Sequence, residues 1–173
     1  MEEKQYQQLA PYILLPEKIN YTSKTSSNDQ FVSDNNKDVK ALVVDINTAD
    51  TTAFQQLKGI GSVYSNRIVK YRNLLGGFIK VEQLKEVYGL KEETYYSIKP
   101  QLILTKKEII KININTSNAN QLRKHPYIDW KLANVIEKYR KANGNYQNIK
   151  DLKQIHLINE ETFLKIAPYL SIN

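Results

Sequence analysis

Hydrophobic residues recur at helical spacing along most of the chain from residue 46 onward, with polar residues between them. In the first such stretch, Thr48 or Asp50 can cap a helix, and a second helix is expected to begin at Ser62. The expected buried positions of these two helices are Ala53, Phe54, Leu57, Ile68 and Tyr71. The pattern therefore predicts two amphipathic helices joined by a short turn.

Glycine and proline indicate where the predicted helices end. Gly76-Gly77 stops the second helix, and Pro100 closes the unit. Between them, two shorter helices are expected at 81–87 and 91–98, joined by Tyr88-Gly89-Leu90. Because there is almost no strand signal, the sequence predicts an all-α unit of two consecutive helix-hairpin-helix pairs.

The same pattern occurs twice in the chain. Residues 46–102 align with residues 114–170 at a constant offset of 68 without a gap, and about 18 of the 57 aligned positions are identical. The sequence therefore predicts two tandem helix-hairpin-helix domains, repeat one (45–104) and repeat two (113–173). The connector, 105–112, is short, so we expect the repeats to lie side by side.

A third, partial copy is expected at the N-terminus. Residues 6–13 resemble residues 163–170, so residues 1–18 are predicted to be the terminal helix of a truncated upstream repeat, in a piece of a longer protein. A chance amphipathic helix is the alternative. Residues 19–44 are rich in Ser, Asn, Asp and Lys and predict a flexible linker. Its apolar end, 41–44, is expected to form an extended arm or short strand.

Charge favours a polyanionic partner. The chain has 25 Lys and Arg against 18 Asp and Glu, a formal net charge of +7. The net charge is −1 over residues 1–44, +2 over 45–104, +2 over 105–112 and +4 over 113–173. The basic excess therefore belongs to the repeats and their connector.

Composition excludes several classes of protein. Without cysteine there is no disulfide framework, thiolate metal site or cysteine nucleophile. His125 and His156 are far apart, and neither has a second ligand at metal-binding spacing. The sequence shows no nucleophile with its base, no nucleotide-binding glycine loop and no stretch apolar enough to span a membrane. We therefore expect no enzyme, no cofactor, no metal and no membrane segment.

The candidate chemistry lies in Gly59-Ile60-Gly61. The glycines permit a tight turn, and Ile60 between them would fix the hairpin in the core. The amides that follow point outward from a helix N-terminus, where the helix dipole favours phosphate. Lys58, Arg67 and Lys70 add positive charge on or beside this face. The alternative is a turn that only joins two packed helices.

Repeat one also resembles a known family. The resemblance is carried by Ile46-Asn47-Thr48-Ala49, Leu57-Lys58-Gly59-Ile60-Gly61, Ile68 with Tyr71-Arg72, Gly76-Gly77-Phe78, Glu82-Gln83-Leu84 and Val87-Tyr88-Gly89-Leu90. This pattern is similar to the helix-hairpin-helix domain of the ComEA family of DNA-uptake competence proteins, and the similarity extends over both repeats. It implies sequence-independent binding of double-stranded DNA through backbone amides. It also implies a bacterial, extracytoplasmic protein tethered by a membrane helix upstream of this chain, and a cytoplasmic protein is the alternative.

Together, the hairpin chemistry and the resemblance give one set of candidate DNA-binding residues. These are Lys58, Gly59, Ile60, Gly61, Ser62, Asn66, Arg67, Lys70, Gly89, Leu90 and Lys91.

Repeat two departs from the family pattern at both hairpins. Tyr127-Ile128-Asp129 stands where repeat one has Gly59-Ile60-Gly61, and Leu157-Ile158-Asn159 forms the second hairpin without glycine. We expect neither to bind DNA in the family manner. The second hypothesis is therefore a protein-interaction scaffold whose repeats have lost DNA binding, with a protein partner near Tyr127 and Trp130.

Overall fold

The computed structural model describes residues 42–105 and 109–173. The terminal helix predicted at 1–18 and the predicted linker up to residue 41 lie outside these residues. None of the helices in the described part of the chain has the length and hydrophobicity needed to cross a bilayer.

Repeat one begins and ends with a short strand and is helical between them. Asp50 caps its first helix, because the Asp50 carboxylate accepts a hydrogen bond from the Ala53 N–H at 2.8 Å. Gly76 ends the long helix in the left-handed conformation, as the sequence predicts. The elements are β1 (Val44–Asp45), α1 (Thr51–Gln55), α2 (Ser62–Leu75), a 3₁₀ helix (Val81–Glu86), α3 (Glu92–Ile98), a 3₁₀ helix (Lys99–Gln101) and β2 (Leu102–Ile103).

Repeat two has the same elements in the same order. They are β3 (Ile112–Asn113), α4 (Ala119–Leu122), α5 (Trp130–Asn143), a 3₁₀ helix (Ile149–Gln154), α6 (Glu160–Ile166), a 3₁₀ helix (Ala167–Tyr169) and β4 (Leu170–Ser171). The duplication in the sequence is therefore a duplication in structure. The mostly helical fold, with two tandem helix-hairpin-helix units, confirms the predicted fold class.

Two-residue parallel strands close each repeat. In repeat one, Val44 pairs with Leu102 and Asp45 with Ile103, so the start of the repeat lies beside its end. In repeat two, β3 and β4 pair in the same way. Such short strands carry too few residues to show period-two alternation, which explains why the sequence gives almost no strand signal.

Several residues identical in the two repeats are structural. The Asn47 side-chain amide donates to the Phe78 carbonyl and accepts from the Phe78 N–H, both at 2.8 Å. The Arg72 guanidinium donates to the carbonyls of Ile46 (3.2 Å) and Ala49 (2.5 Å). The equivalent bonds in repeat two join Asn115 to Tyr146 and Arg140 to Ile114 and Ser117. These polar contacts tie the first turn of each repeat to its long helix and to the segment after it.

The repeats contact each other through Gln83, which is buried in repeat one. Its amide nitrogen donates to the hydroxyl oxygens of Tyr127 (2.8 Å) and Tyr169 (2.7 Å), both from repeat two. Its amide oxygen accepts from the N–H groups of Ile79 (2.8 Å) and Lys80 (3.0 Å), at the start of the first 3₁₀ helix. Every donor and acceptor of the Gln83 side chain is therefore paired, and two of the four bonds cross between repeats.

Aromatic residues of repeat two complete this contact. The Tyr169 side chain packs with the buried core of repeat one, and the Tyr127 hydroxyl donates to the Glu86 carboxylate at 2.7 Å. The ring of His125, which is 2% exposed, lies 4.6 Å from the Tyr169 ring and 5.4 Å from the Tyr127 ring, measured between centroids. Burial lowers the pKa of His125 to about 4, and the Leu75 carbonyl only partly opposes this. His125 is therefore a neutral packing residue at neutral pH.

Candidate nucleic-acid interface

The first hairpin of repeat one joins α1 to α2. Gly59 has a φ of +85°, and a Cβ added to it would lie 3.2 Å from Cγ2 of Thr94 on α3. Ile60 is buried in the core, as the sequence predicts. Gly61 is extended and precedes the first residue of α2, where it makes no side-chain cap. The turn is therefore held from inside by Ile60 and leaves the start of α2 without a capping side chain.

The N-terminal amides of α2 are the groups available for an anion. The first N–H groups of a helix have no partner within the helix, and Gly61 has no side chain to accept from them. Ser62, at the first position, is exposed, and its carbonyl accepts from Ser65 Oγ (3.0 Å) and Asn66 Nδ2 (2.7 Å). Asn66 therefore uses a side-chain donor within α2. Lys58 is exposed in the turn before Gly59.

The second hairpin of repeat one contacts α2 through Arg67. Arg67 Nη1 donates to the Tyr88 carbonyl at 2.9 Å. Gly89 has a φ of +80°, which residues with a side chain rarely adopt, and a Cβ added to it would lie 2.6 Å from the same Nη1 atom, so glycine suits both this backbone conformation and the approach of Arg67. Leu90 is buried, and Lys91 precedes α3 without making a side-chain cap. The structure thus brings Arg67 together with the second hairpin.

The charge around the second hairpin is mixed. Lys70 lines a surface groove with Arg67 beside this hairpin. Two carboxylates, Glu92 and Glu93, occupy the first turn of α3 directly after Lys91. A hydrogen bond from Lys85, 2.5 Å away, lowers the pKa of Glu92, so this carboxylate is ionised at neutral pH. The first hairpin, whose helix has no acid in its first turn, is therefore the better anion site.

In repeat two, both hairpin helices are capped by their own side chains. The Asp129 carboxylate accepts from the Leu132 N–H at 2.7 Å at the start of α5. The Asn159 side chain accepts from the Thr162 N–H at 2.8 Å at the start of α6. Each of these side chains occupies one of the amides that an anion would contact and lies where the anion would bind, and Asp129 adds a negative charge.

The structure changes the interpretation of the predicted protein-contact surface. Tyr127 is half-buried, and its hydroxyl bonds Gln83 and Glu86 of repeat one, so this side chain is used inside the molecule. Trp130 is 54% exposed, with the Arg123 guanidinium 5.2 Å from its ring centroid. Of the two aromatic residues, Trp130 alone presents most of its surface to solvent.

Sequence reasoning did not select Tyr88 as a candidate. Tyr88 is 81% exposed, and its ring centroid lies 5.0 Å from the Arg67 guanidinium carbon. An aromatic residue directly before the hairpin glycine is a signal that the sequence contains. The contact with Arg67, 21 residues earlier, is visible only in the fold.

The described residues contain no group of three or more His, Cys, Asp or Glu side chains arranged to hold a metal ion.

A family model described as the helix-hairpin-helix motif matches residues 39–103 and 107–171, one match for each repeat. The chain belongs to the helix-hairpin-helix family. Helix-hairpin-helix motifs commonly bind DNA without sequence specificity. The helix-hairpin-helix motif is typical of binding modules, and each matched segment of this chain includes both hairpins of one repeat.

Relatives of this helix-hairpin-helix chain share the name endonuclease/exonuclease/phosphatase family domain-containing protein 1. Identity is 28% over 141 residues with the Danio rerio protein and 26% over 144 residues with that of Xenopus laevis, each covering 71% of this chain. Identity with the Mus musculus protein is 26% over 145 residues, covering 67% of this chain. The chain spans 26% of the length of each of these relatives. No solved structure matches it.

Proposed function

We propose that repeat one binds double-stranded DNA without sequence specificity, through the amides at the N-termini of its hairpin helices. The observation that carries this proposal is the difference in capping between the repeats. Gly61 and Lys91 leave the hairpin helices of repeat one without side-chain caps, whereas Asp129 and Asn159 cap those of repeat two.

Contacts of this kind give affinity for DNA without contacts to the bases. Amides at a helix N-terminus bind phosphate oxygens, which are the same at every base pair. Lys58, Arg67 and Lys70 add charge that releases counterions from DNA. If the two hairpins together neutralise about three phosphates, the logarithm of the association constant falls with the logarithm of salt concentration with a slope of about −3.

We propose that repeat two supports repeat one rather than binding DNA itself. Its hairpin helices carry side-chain caps, and Tyr127 and Tyr169 bond Gln83 at the start of the 3₁₀ helix before the second hairpin. The alternative is a scaffold in which neither repeat binds DNA. The exposed Trp130 beside Arg123 favours that alternative, because an exposed aromatic next to a cation suits a protein contact.

We propose that the chain is a non-catalytic module. The relatives are named for an endonuclease/exonuclease/phosphatase family domain, so in a longer protein of that kind this module would hold DNA for a catalytic domain. A role in bacterial DNA uptake, with an extracytoplasmic tether, is the narrower proposal. It is supported by the resemblance to ComEA proteins alone.

A matched pair of lysine variants tests the DNA-binding proposal. Lys70 and Lys138 occupy equivalent positions of the two repeats, and both are exposed. We expect the chain to bind blunt duplexes of unrelated sequence with similar affinity in a fluorescence-anisotropy titration at low salt. Lys70→Gln should weaken binding and reduce the salt slope by about 1, whereas Lys138→Gln should leave both unchanged.

Two results would contradict the proposal. Lack of binding to any duplex at low salt would favour the scaffold function. Equal losses for Lys70→Gln and Lys138→Gln would show that binding follows total charge rather than the hairpins of repeat one.

A further inference from the structure

A groove in repeat one lies beside the second hairpin and is not explained by phosphate binding. Its volume is about 290 Å³. Tyr71, Leu74 and Val87 give it an apolar surface, and Tyr88 lies at the hairpin end. Tyr88 is 81% exposed and Leu74 is 44% exposed, so apolar area faces solvent here. This volume lies just below the range of small-molecule sites, which begins at about 300 Å³.

Two cations, Arg67 and Lys70, complete the lining of this groove. None of its six lining residues is acidic. The Glu86 carboxylate, outside the lining, accepts from the hydroxyl of Tyr71 (2.6 Å) and also from that of Tyr127 (2.7 Å). Those two hydroxyls hold this carboxylate at the repeat contact. The groove therefore combines an aromatic face and an apolar surface with positive charge.

We propose that this groove holds an unpaired nucleotide of a DNA strand, with its base against Tyr88 and Leu74 and its phosphate near Arg67 and Lys70. The proposal rests on the DNA-binding function proposed above and adds a DNA class, duplexes with a single-stranded tail. Bases stack on exposed aromatic rings without regard to sequence, and nearby cations bind the backbone that links them. A base pair inside the duplex cannot use such a surface, because its neighbours cover both of its faces, and an end pair of a blunt duplex offers only one face and no unpaired base to enter the groove.

The position of Tyr88 connects the groove to the duplex site. Its backbone carbonyl accepts the bond from Arg67, and the next residue is Gly89 of the second hairpin. The Arg67 guanidinium also lies 5.0 Å from the Tyr88 ring, which holds the ring in place by a cation–π contact. A strand that leaves the duplex at this hairpin would therefore meet the Tyr88 ring first.

Repeat two carries non-conservative changes at three of the six positions equivalent to the groove residues. Val135 stands in place of Arg67, and His156 in place of Tyr88. The third change is Ala142 in place of Leu74. The pair of a tyrosine ring and an arginine thus occurs in the repeat whose hairpin helices are uncapped, whereas repeat two has the smaller imidazole of His156 and no cation at the position of Arg67.

Tailed and blunt duplexes test the proposal by fluorescence anisotropy at matched salt. We expect the chain to bind a duplex carrying a tail of a few unpaired thymidines about tenfold more tightly than the same duplex with blunt ends. Tyr88→Ala should abolish this preference and leave affinity for the blunt duplex unchanged, because the backbone carbonyl bonded to Arg67 remains. Tyr88→Phe should keep the preference, since stacking needs the ring and not the hydroxyl.

Tyr96 offers a matched control. It is 56% exposed, and its ring centroid lies 5.3 Å from Nζ of Lys85, but it does not line the groove. Tyr96→Ala should therefore retain the preference for tailed DNA. A 2-aminopurine base at the first unpaired position should lose fluorescence on binding to the wild-type chain and not on binding to Tyr88→Ala.

The outcomes separate this inference from the function on which it rests. Equal affinity for tailed and blunt duplexes, or a tail preference that survives Tyr88→Ala, overturns the inference while duplex binding stands. Lack of binding to both duplexes overturns the proposed function, and the inference with it.

Discussion

Replacing Gly61 by Asp would install in repeat one the cap that Asp129 provides in repeat two. Gly61 has φ −88° and ψ −175°, an extended conformation that any residue adopts. A Cβ at this position meets no atom within 4 Å, so the substitution causes neither backbone strain nor a clash. Gly59 is a poorer target, because its positive φ and the contact with Thr94 make any side chain there disruptive.

This substitution should raise stability and lower DNA affinity together. Asp in place of Gly at an N-cap gains a few tenths of a kcal/mol, and its charge near the helix N-terminus adds about 0.3–1 kcal/mol. The free energy of unfolding should therefore rise by about 0.5–1 kcal/mol. The loss of one charge-assisted amide–phosphate bond, worth about 1.5–3 kcal/mol, should weaken duplex binding by about 10- to 100-fold.

Urea unfolding and anisotropy titration measure the two effects on the same samples. Gly61→Ala controls for the side chain itself, since alanine neither caps the helix nor carries charge. It should lower stability slightly and retain most of the duplex affinity. Asp129→Gly is the reverse change in repeat two, and it should lower stability while increasing duplex affinity.

One result would refute the reasoning directly. If Gly61→Asp is as stable as expected and binds duplex DNA as tightly as the wild-type chain, the amides of α2 are not the phosphate site. If Gly61→Ala loses as much affinity as Gly61→Asp, the loss comes from the shape of the turn rather than from the cap.

Two further predictions concern the contact between the repeats. Gln83→Leu should lower the free energy of unfolding, measured in urea, by about 2–4 kcal/mol, because it leaves hydroxyl and N–H groups at the repeat contact unpaired. Tyr169→Phe removes only one bond to Gln83 and should lower it by about 1 kcal/mol. Equal losses for the two variants would contradict the paired network. The free energy of unfolding should also decrease as the pH is lowered, because folding holds the pKa of His125 at about 4, below its ordinary value of 6.5. The unfolded chain then binds a proton that the folded chain does not, so unfolding free energy decreases by up to about 3 kcal/mol as pH falls from 6.5 to about 4. His125→Leu, which copies Leu57 of repeat one, should flatten this dependence, and an unchanged pH profile would show that other groups cause it.

The helical units could be predicted from sequence because local signals define them. Asp50 caps α1, and Gly76 ends α2, each through the backbone conformation and hydrogen bonding of its own residue and near neighbours. The constant offset between the repeats fixed where the second set of elements would lie. The segments Val81–Glu86 and Ile149–Gln154 are 3₁₀ helices of six residues, and so short a segment leaves little in the sequence to distinguish a 3₁₀ helix from an α-helix.

The contact between the repeats could not be predicted from sequence. Gln83 lies 44 residues from Tyr127 and 86 residues from Tyr169 in the chain, and no local pattern relates them. From the sequence, Tyr127 is therefore predicted to contact another protein. The structure shows that the phenol bonds the neighbouring repeat, so loss of glycine from this hairpin accompanies a gain of internal contact.

The candidate DNA residues could be predicted in part. Gly59, Ile60 and Gly61 form the expected turn because glycine spacing determines it locally. The role of Arg67 depends on Tyr88 and Gly89, which come from the next hairpin. Which side chains of the two hairpins meet depends on how α2 packs against the second hairpin, and the residue pattern does not predict that packing.

The parallel pairing of β1 with β2, and of β3 with β4, has a consequence for how such proteins arise. The first and last strands of each repeat are paired, so the two ends of the repeat lie about 5 Å apart. A domain with adjacent termini tolerates tandem duplication, or insertion into a loop of another protein, without disturbance of its core. One copy can then keep an ancestral surface while the other accumulates changes at its hairpins, as the pair Gly61 and Asp129 illustrates.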